Sequence, residues 1–260
     1  MTRTPSARIQ KIARGVCLVC LVCVSTGAEP ATDDAGRARQ IVARADDIRL
    51  PKDGFQSTVT ITTQLRDKSS EVRQYRILSK GNENTLVMTL APPVDRGQVM
   101  LMKGRDLWLF LPSVSQPVRL PLSQRLTGQV ANGDLARANF TGDYNPHLLG
   151  MEKISNQDFY KLELNANDRG VTYHRVLYWV YKSTNWPYKA EFYAVSGRLL
   201  KTAYYTQYRK IGGAVRPTRL IMRDALVGGE QSILDYTDIS PRNLPDKVFT
   251  KEYLKKLISG

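Results

Sequence analysis

Cysteine is scarce in this sequence and confined to one place. Cys17, Cys20 and Cys23 are the three, and all fall within the first 28 of 260 residues. Beyond Ala28 there is no thiol, which excludes disulfides, thiolate zinc sites, iron–sulfur clusters and cysteine nucleophiles from the rest of the chain. Histidine is nearly as rare, with only His147 and His174. No HExxH pair, GxSxG nucleophile elbow, GxGxxG turn or GxxxxGKS/T phosphate loop occurs, so zinc hydrolysis, serine hydrolysis and nucleotide binding lack their usual frames. No apolar run reaches the ~18–20 residues that a membrane-spanning helix needs.

What is present begins with an export signal. Arg3, Arg8, Lys11 and Arg14 form a basic lead without an acid, residues 15–24 form a short apolar run, and Ser25 to Ala28 are small. Residues 1–28 therefore read as a cleaved signal peptide, with the periplasm as destination and residues 29–260 as one domain. Export changes the meaning of the charge. The 38 Lys and Arg oppose 24 Asp and Glu for a net +14, which falls to about +10 without the leader. Nucleic-acid readers concentrate basic residues on one element. Here Arg66, Arg105, Arg175, Arg209 and Arg223 are spread over many segments. No nucleic-acid partner is expected; a solvated basic surface, or transient contact with an anionic membrane surface, is.

Hydrophobic periodicity predicts the fold. Ile41, Ala45 and Ile48 mark a helix over 35–50, with Thr32 or Asp33 as its cap. From Phe55 the period becomes two, with Phe55, Ser57, Val59, Ile61, Thr63 and Leu65 sharing one face. Strands follow to about Leu120, and again from Gln157 to Ile239, separated by turns such as Asp67 to Ser70 and Ser196-Gly197. Residues 112–150 are punctuated by Pro and Gly and read as irregular, with a helical fragment over 134–140. Thr250 caps a final short helix, in which Phe249 can staple onto Leu254. The expected fold is mainly β with few helices. It is a single curved antiparallel sheet of about ten or eleven strands, an open or half β-barrel with helices covering the concave face.

Two strands differ from the rest. Residues 99–102 and 107–111 are apolar on both faces. Helices covering the outer side account for this, and so does an inner face that lines an apolar cavity. Met100, Met102, Trp108 and Phe110 form one candidate lining; Val99, Leu101, Leu107, Leu109 and Leu111 form the competing register, since a one-residue slip exchanges the faces. Candidate catalytic groups are thin. Asp134 and Asp143 could meet across the irregular segment, but turn capping is the commoner role for such residues. No enzyme activity, cofactor or metal site is expected.

Arg96-Gly97 with Met100-Leu101, the run Asp106 to Ser113, Arg119, Gln124-Arg125, Gly128, Asn132 to Asp134, Asn139-Phe140 and Asp143-Tyr144 occur in a fixed order. In these residues the sequence resembles the outer-membrane lipoprotein-sorting protein family, of the LolA- and LolB-like periplasmic lipoprotein carriers. The resemblance implies a non-enzymatic periplasmic carrier, whose curved sheet holds lipid or lipoprotein acyl chains under a helical lid. Its membrane partners would be an inner-membrane transporter or an outer-membrane acceptor. The alternative is a non-enzymatic adaptor of an envelope transporter complex. Arg96, Gly97, Pro112, Arg125, Gly133, Asp134, Asn139, Asp143 and Tyr144 are expected to fix the irregular segment rather than touch ligand.

Overall fold

The period-two segments become strands, and each turn cluster becomes a hairpin. The computed structural model describes residues 31–259 apart from Asn82, Ala138 and Gly212, with the backbone alone for 31–33 and 256–259. The expected signal peptide and its cysteines lie outside the described residues. Helix α1 (Ala31–Arg49) is followed by β1 (Phe55–Gln64), β2 (Glu71–Lys80), β3 (Asn84–Ala91), β4 (Val99–Lys103), β5 (Asp106–Phe110) and β6 (Val118–Leu120). An irregular stretch then holds β7 (Arg125–Thr127), β8 (Val130–Ala131), α2 (Asn132–Ala136) and α3 (Phe140–Asp143). Next come β9 (Tyr144–Ile154), β10 (Gln157–Ala166), β11 (Arg175–Tyr181), β12 (Pro187–Tyr193), β13 (Leu199–Ile211), β14 (Ala214–Asp224) and β15 (Gln231–Pro241), before α4 (Lys251–Ser259). Helix α1 starts four residues before the expected position and already contains Thr32 and Asp33. The acids there suit a first helical turn as well as a cap.

The main sheet has 13 strands in the order β6-β5-β4-β3-β2-β1-β15-β14-β13-β12-β11-β10-β9, while β7 and β8 pair separately. Every pairing is antiparallel, and only the seam between β1 and β15 joins strands distant in sequence. The sheet is therefore two meanders fused at that seam. Its edges, β6 and β9, do not pair, so the half-barrel stays open. Residues 121–143 run from one edge to the other across the open side, and we refer to them as the lid.

β6 falls at the strand end expected near Leu120, and β9 is the strand that the sequence expectation lacks. Pro146 and Gly150 obscure β9, yet both suit an edge strand, where a missing N–H or a kink breaks only one ladder. Gly150 has φ +127°, and the β9–β10 register shifts beside it. Thirteen strands with native twist cannot lie flat, and curling gives the sheet a concave side.

Burial separates the two sides. Ala38, Ile41, Val42 and Ala45 of α1 join Val59, Ile61, Ile77, Met100, Met102 and Leu107 in the concave core, which also takes Leu122, Val130, Leu135 and Phe140 from the lid. A second cluster lies on the convex side, where Val99, Leu101 and Phe110 meet Leu244, Phe249 and Leu254. Thr250 Oγ1 accepts the Tyr253 N–H at 3.2 Å and caps α4, with Phe249 and Leu254 both buried beside it. The double-sided apolarity of β4 and β5 thus has two causes: the concave core on one face and the C-terminal segment on the other.

Candidate functional site

The concave face of the sheet holds both α1 and the lid. Directly paired residues in an antiparallel sheet share a face. Met100 pairs with Leu109 and Met102 with Leu107, while Leu101 pairs with Trp108 and Val99 with Phe110. The structure therefore divides the expected lining set. Met100 and Met102 face the concavity; Trp108 and Phe110 lie on the convex face, where Lys251 Nζ sits 3.9 Å from the Trp108 ring centre. From the competing set, Leu107 and Leu109 join the two methionines, and Val99 and Leu101 join the two aromatics.

Polar pins fix the lid over this apolar floor. Asp134 on α2 accepts the Ala131 N–H at 2.8 Å, the Tyr173 hydroxyl at 2.7 Å and Lys201 Nζ at 2.6 Å. Lys201 also donates to the Gln129 carbonyl. Arg137 grips Asp143 through Nε and Nη2 at 2.6 and 2.7 Å, and its Nη1 reaches the Gly104 carbonyl at 2.7 Å. Arg105 joins from the β4–β5 turn, with Nε 3.2 Å from Asp143 and Nη2 2.8 Å from Asn167 Oδ1. A guanidinium–carboxylate cluster therefore clasps the β4–β5 hairpin to the start of β9 and the β10–β11 turn, across the open side. At the end of α1, Asp46 accepts the Thr141 N–H and hydroxyl, both at 2.7 Å, and Arg49 lies 4.2 Å from the Phe140 ring centre. Burial pushes the Asp46 carboxyl up, against the Arg49 charge that opposes it. Burial likewise raises the Tyr173 hydroxyl, helped by the neighbouring Asp134 charge, so Tyr173 stays a neutral donor.

Several family-signature residues make contacts within the lid or at its ends, while Arg96 bonds locally in the β3–β4 connection. Asn139 caps α3 by accepting the Gly142 N–H at 2.9 Å, and Tyr144 donates its hydroxyl to the Tyr173 carbonyl at 3.1 Å. Arg96 Nε bonds the Leu90 carbonyl at 3.1 Å. Gly97 has φ +87°, and a Cβ there would press on Pro112. A Cβ on Gly133 would collide with Thr172, so this close approach of α2 to the β10–β11 turn needs glycine. Arg125 differs from the others: it is exposed on β7 and lines a cleft. Asp134 and Asp143 do not pair with each other, and each carboxylate has its own cationic partners. His147 lies exposed on β9 and His174 lies exposed before β11. Sequence reasoning missed Asp46, Arg137 and Lys201. For Lys201 there was a signal, since it shares strand parity with inward-facing Ala203 and Tyr205.

Open space is concentrated at one end of the strands. Deep under the lid, two voids beside Arg49 measure only about 30 and 40 Å³, enough for a water molecule. Where β10, β11, β12 and β13 turn, a cleft of about 620 Å³ opens, lined by Ala166, Val171, Tyr173, Tyr193, Val195 and Leu200 among others. A neighbouring cleft of about 200 Å³ carries Arg125, Arg198 and Lys201. The larger falls within the ~300–1,000 Å³ range of small-molecule sites. Among the described residues, no cluster of His, Cys, Asp and Glu could hold a metal ion, and no helix is long and apolar enough to cross a membrane.

Comparison with known proteins agrees with this architecture. A family described as "Uncharacterized protein" matches residues 81–256. No curated protein matches the chain significantly. Among solved structures, a LolA superfamily protein from Nitrosomonas europaea is 60% identical, with 83% of this chain and 98% of that one covered and a TM-score of 0.80. A DUF1329 family protein from Desulfovibrio piger is 21% identical, covering 85% and 99%, with a TM-score of 0.74. A Vibrio parahaemolyticus domain named for outer membrane lipoprotein sorting is 22% identical, covering 85% and 99%, with a TM-score of 0.72. The last two share the fold. With the identity to the Nitrosomonas protein extending over most of both chains, the protein belongs to the LolA superfamily.

Proposed function

We propose that this protein is a periplasmic, non-enzymatic carrier that holds the acyl chains of lipids or lipoproteins for transfer between envelope membranes. The observation that carries the reading is the end cleft of about 620 Å³, whose wall residues Ala166 and Leu200 pack against the concave core. Acyl chains bind by burying methylene groups at ~0.8 kcal/mol each, so the site needs apolar area and a way in, with no catalytic geometry. Membership of the LolA superfamily supports the same function. The acids and bases under the lid bond one another or backbone groups, which suits anchoring.

Native mass spectrometry of protein purified from the envelope tests the proposal. Bound phospholipid or acylated peptide is expected. Binding of a fluorescent acyl probe should weaken in Leu200→Glu and Val171→Glu, which place a carboxylate in the cleft wall. Protein that is consistently free of lipid and shows no saturable probe binding would overturn the carrier reading.

A further inference from the structure

The two clefts adjoin and differ in chemistry. Ser123, Tyr173 and Leu200 line both. Seven aliphatic and aromatic residues line the larger, together with Ser123, Asp168, Arg169, Thr172 and His174, whereas the smaller carries three cations from three separate places: Arg125 on β7, Arg198 in the β12–β13 turn and Lys201 on β13. We infer that the pair forms a bipartite site for an anionic amphiphile, with the acyl part in the larger cleft and a phosphate or carboxylate head held by Arg125, Arg198 and Lys201. This rests on the carrier reading and specifies its ligand class.

Three cations meet two carboxylates here, Asp134 and Asp224, which leaves an excess of one positive charge. Asp134 is the only carboxylate bonded to Lys201, and it is also taken by Tyr173 and Ala131. Asp224 also lines the smaller cleft, but its Oδ1 accepts the Leu226 and Val227 N–H groups at 2.6 and 2.8 Å. Among the described residues, neither Arg125 nor Arg198 has an ion-pair partner. Burial pushes the Lys201 ammonium below its ordinary range; Asp134 and Asp224 oppose that shift, and the charge of Arg125 adds to it. Like charges placed around a concave, partly desolvated opening focus a positive potential there, which an anion relieves. Both arginines are exposed, so an incoming head group reaches them without disturbing the core. Guanidinium groups suit phosphate and carboxylate through paired N–H donors.

The test uses the delipidated full-length exported protein and displacement of a fluorescent acyl probe by three competitors. These are a monoacyl phosphatidylglycerol, a monoacylglycerol of the same chain length, and inorganic phosphate. The anionic lipid should bind at least about tenfold more tightly than the neutral one at low salt. That gap should narrow in 0.5 M NaCl, a concentration at which the Debye length is roughly halved or less. In Arg125→Gln/Arg198→Gln the gap should close, while the affinity for the neutral lipid stays as in the parent. That unchanged arm also shows that the variant is folded. Equal binding of both lipids by the parent protein overturns the head-group site and leaves the acyl reading standing. Failure of every lipid to displace the probe overturns the acyl reading itself. Calorimetric binding of phosphate as tight as that of the anionic lipid, and lost in the same variant, overturns the lipid assignment in favour of a free anion.

Discussion

The clasp around Asp143 gives the sharpest test of how the lid is held. Replacing Arg137 by Met removes both guanidinium bonds to Asp143 and the donor to the Gly104 carbonyl, while keeping most of the side-chain volume. The Arg137 and Asp143 side chains are 4% and 5% exposed, so the abandoned carboxylate cannot rehydrate without moving the segment. Breaking a buried pair from one side costs about 3–5 kcal/mol. Arg105, 36% exposed with Nε 3.2 Å from the same carboxylate, retains part of the compensation, which places the loss near the lower limit. About 3 kcal/mol in a domain of this size corresponds to a fall in Tm of ~6–12 °C. Arg105→Met breaks only partly exposed contacts and should cost about 1 kcal/mol, or ~2–4 °C. The double change Arg137→Met/Asp143→Leu removes the stranded charge and should be more stable than Arg137→Met alone. Thermal melting by circular dichroism together with urea unfolding would measure all three. An Arg137→Met variant within 1 kcal/mol of the parent, or a double variant less stable than the single one, would refute the clasp as described.

Three further outcomes follow from packing and ligand chemistry. Phe249→Ala should cost about 3–5 kcal/mol, because the ring is buried between α4 and the convex face of β4, and Thr250→Ala about 1 kcal/mol through loss of the cap, both read by urea unfolding. Gly133→Ala should lower stability by about 1–3 kcal/mol, since its new Cβ meets Thr172, whereas Gly36→Ala, with open space around it, should be neutral or slightly stabilising. Affinity for saturated monoacylglycerols should rise about fourfold per added methylene until the end cleft is filled, and a slope near unity for all chain lengths in the same probe assay would exclude apolar burial as the source of binding.

Much of the fold was legible because the sheet is built from local hairpins. In β1 the alternation gave the buried face directly: Phe55, Ser57, Val59, Ile61 and Thr63 are buried, while Leu65 lies past the strand end and is half-buried. Phe249, Thr250 and Leu254 announced the C-terminal helix, since caps and staples are short-range devices. Facing across β4 and β5 was harder, because each strand alone is apolar on both sides. The answer lay in the turn. Lys103 pairs with Asp106 around Gly104-Arg105, so a two-residue loop joins the strands and even-numbered residues of β4 pair with odd-numbered residues of β5. That parity groups Met100 with Leu109 and excludes Trp108 from its face. The lid pins were beyond such reasoning. Asp46 and Thr141, or Arg105 and Asn167, meet only because the two meanders curl until their edges approach, and no local period encodes that closure.

Under the proposed carrier function, the buried charges beneath the lid also bear on how the protein can be closed and still release its cargo. An ion pair such as Asp134–Lys201 is close to neutral for stability when compared with apolar side chains of the same shape, because desolvation offsets most of the attraction. It is strongly selective for geometry, since any displacement leaves a charge unpaired. Pins of this kind fix where the lid rests without adding greatly to the free energy of closure, whereas an equally large apolar seam would add continuously with area. A chain burying about ten methylenes gains ~8 kcal/mol, more than the ~3–5 kcal/mol for breaking one pin from one side. Ligand can therefore displace a single pin, but not the clasp, the Asp46–Thr141 bonds and the Asp134–Lys201 pair together. The smaller cleft already reaches the Lys201 pin, whereas the Arg137–Asp143 clasp is braced at the β10–β11 turn by Arg105 with Asn167 and Asp168. Entry beginning at the Lys201 end, with the clasp as the fixed side, is the sequence of events that this distribution of bonds favours.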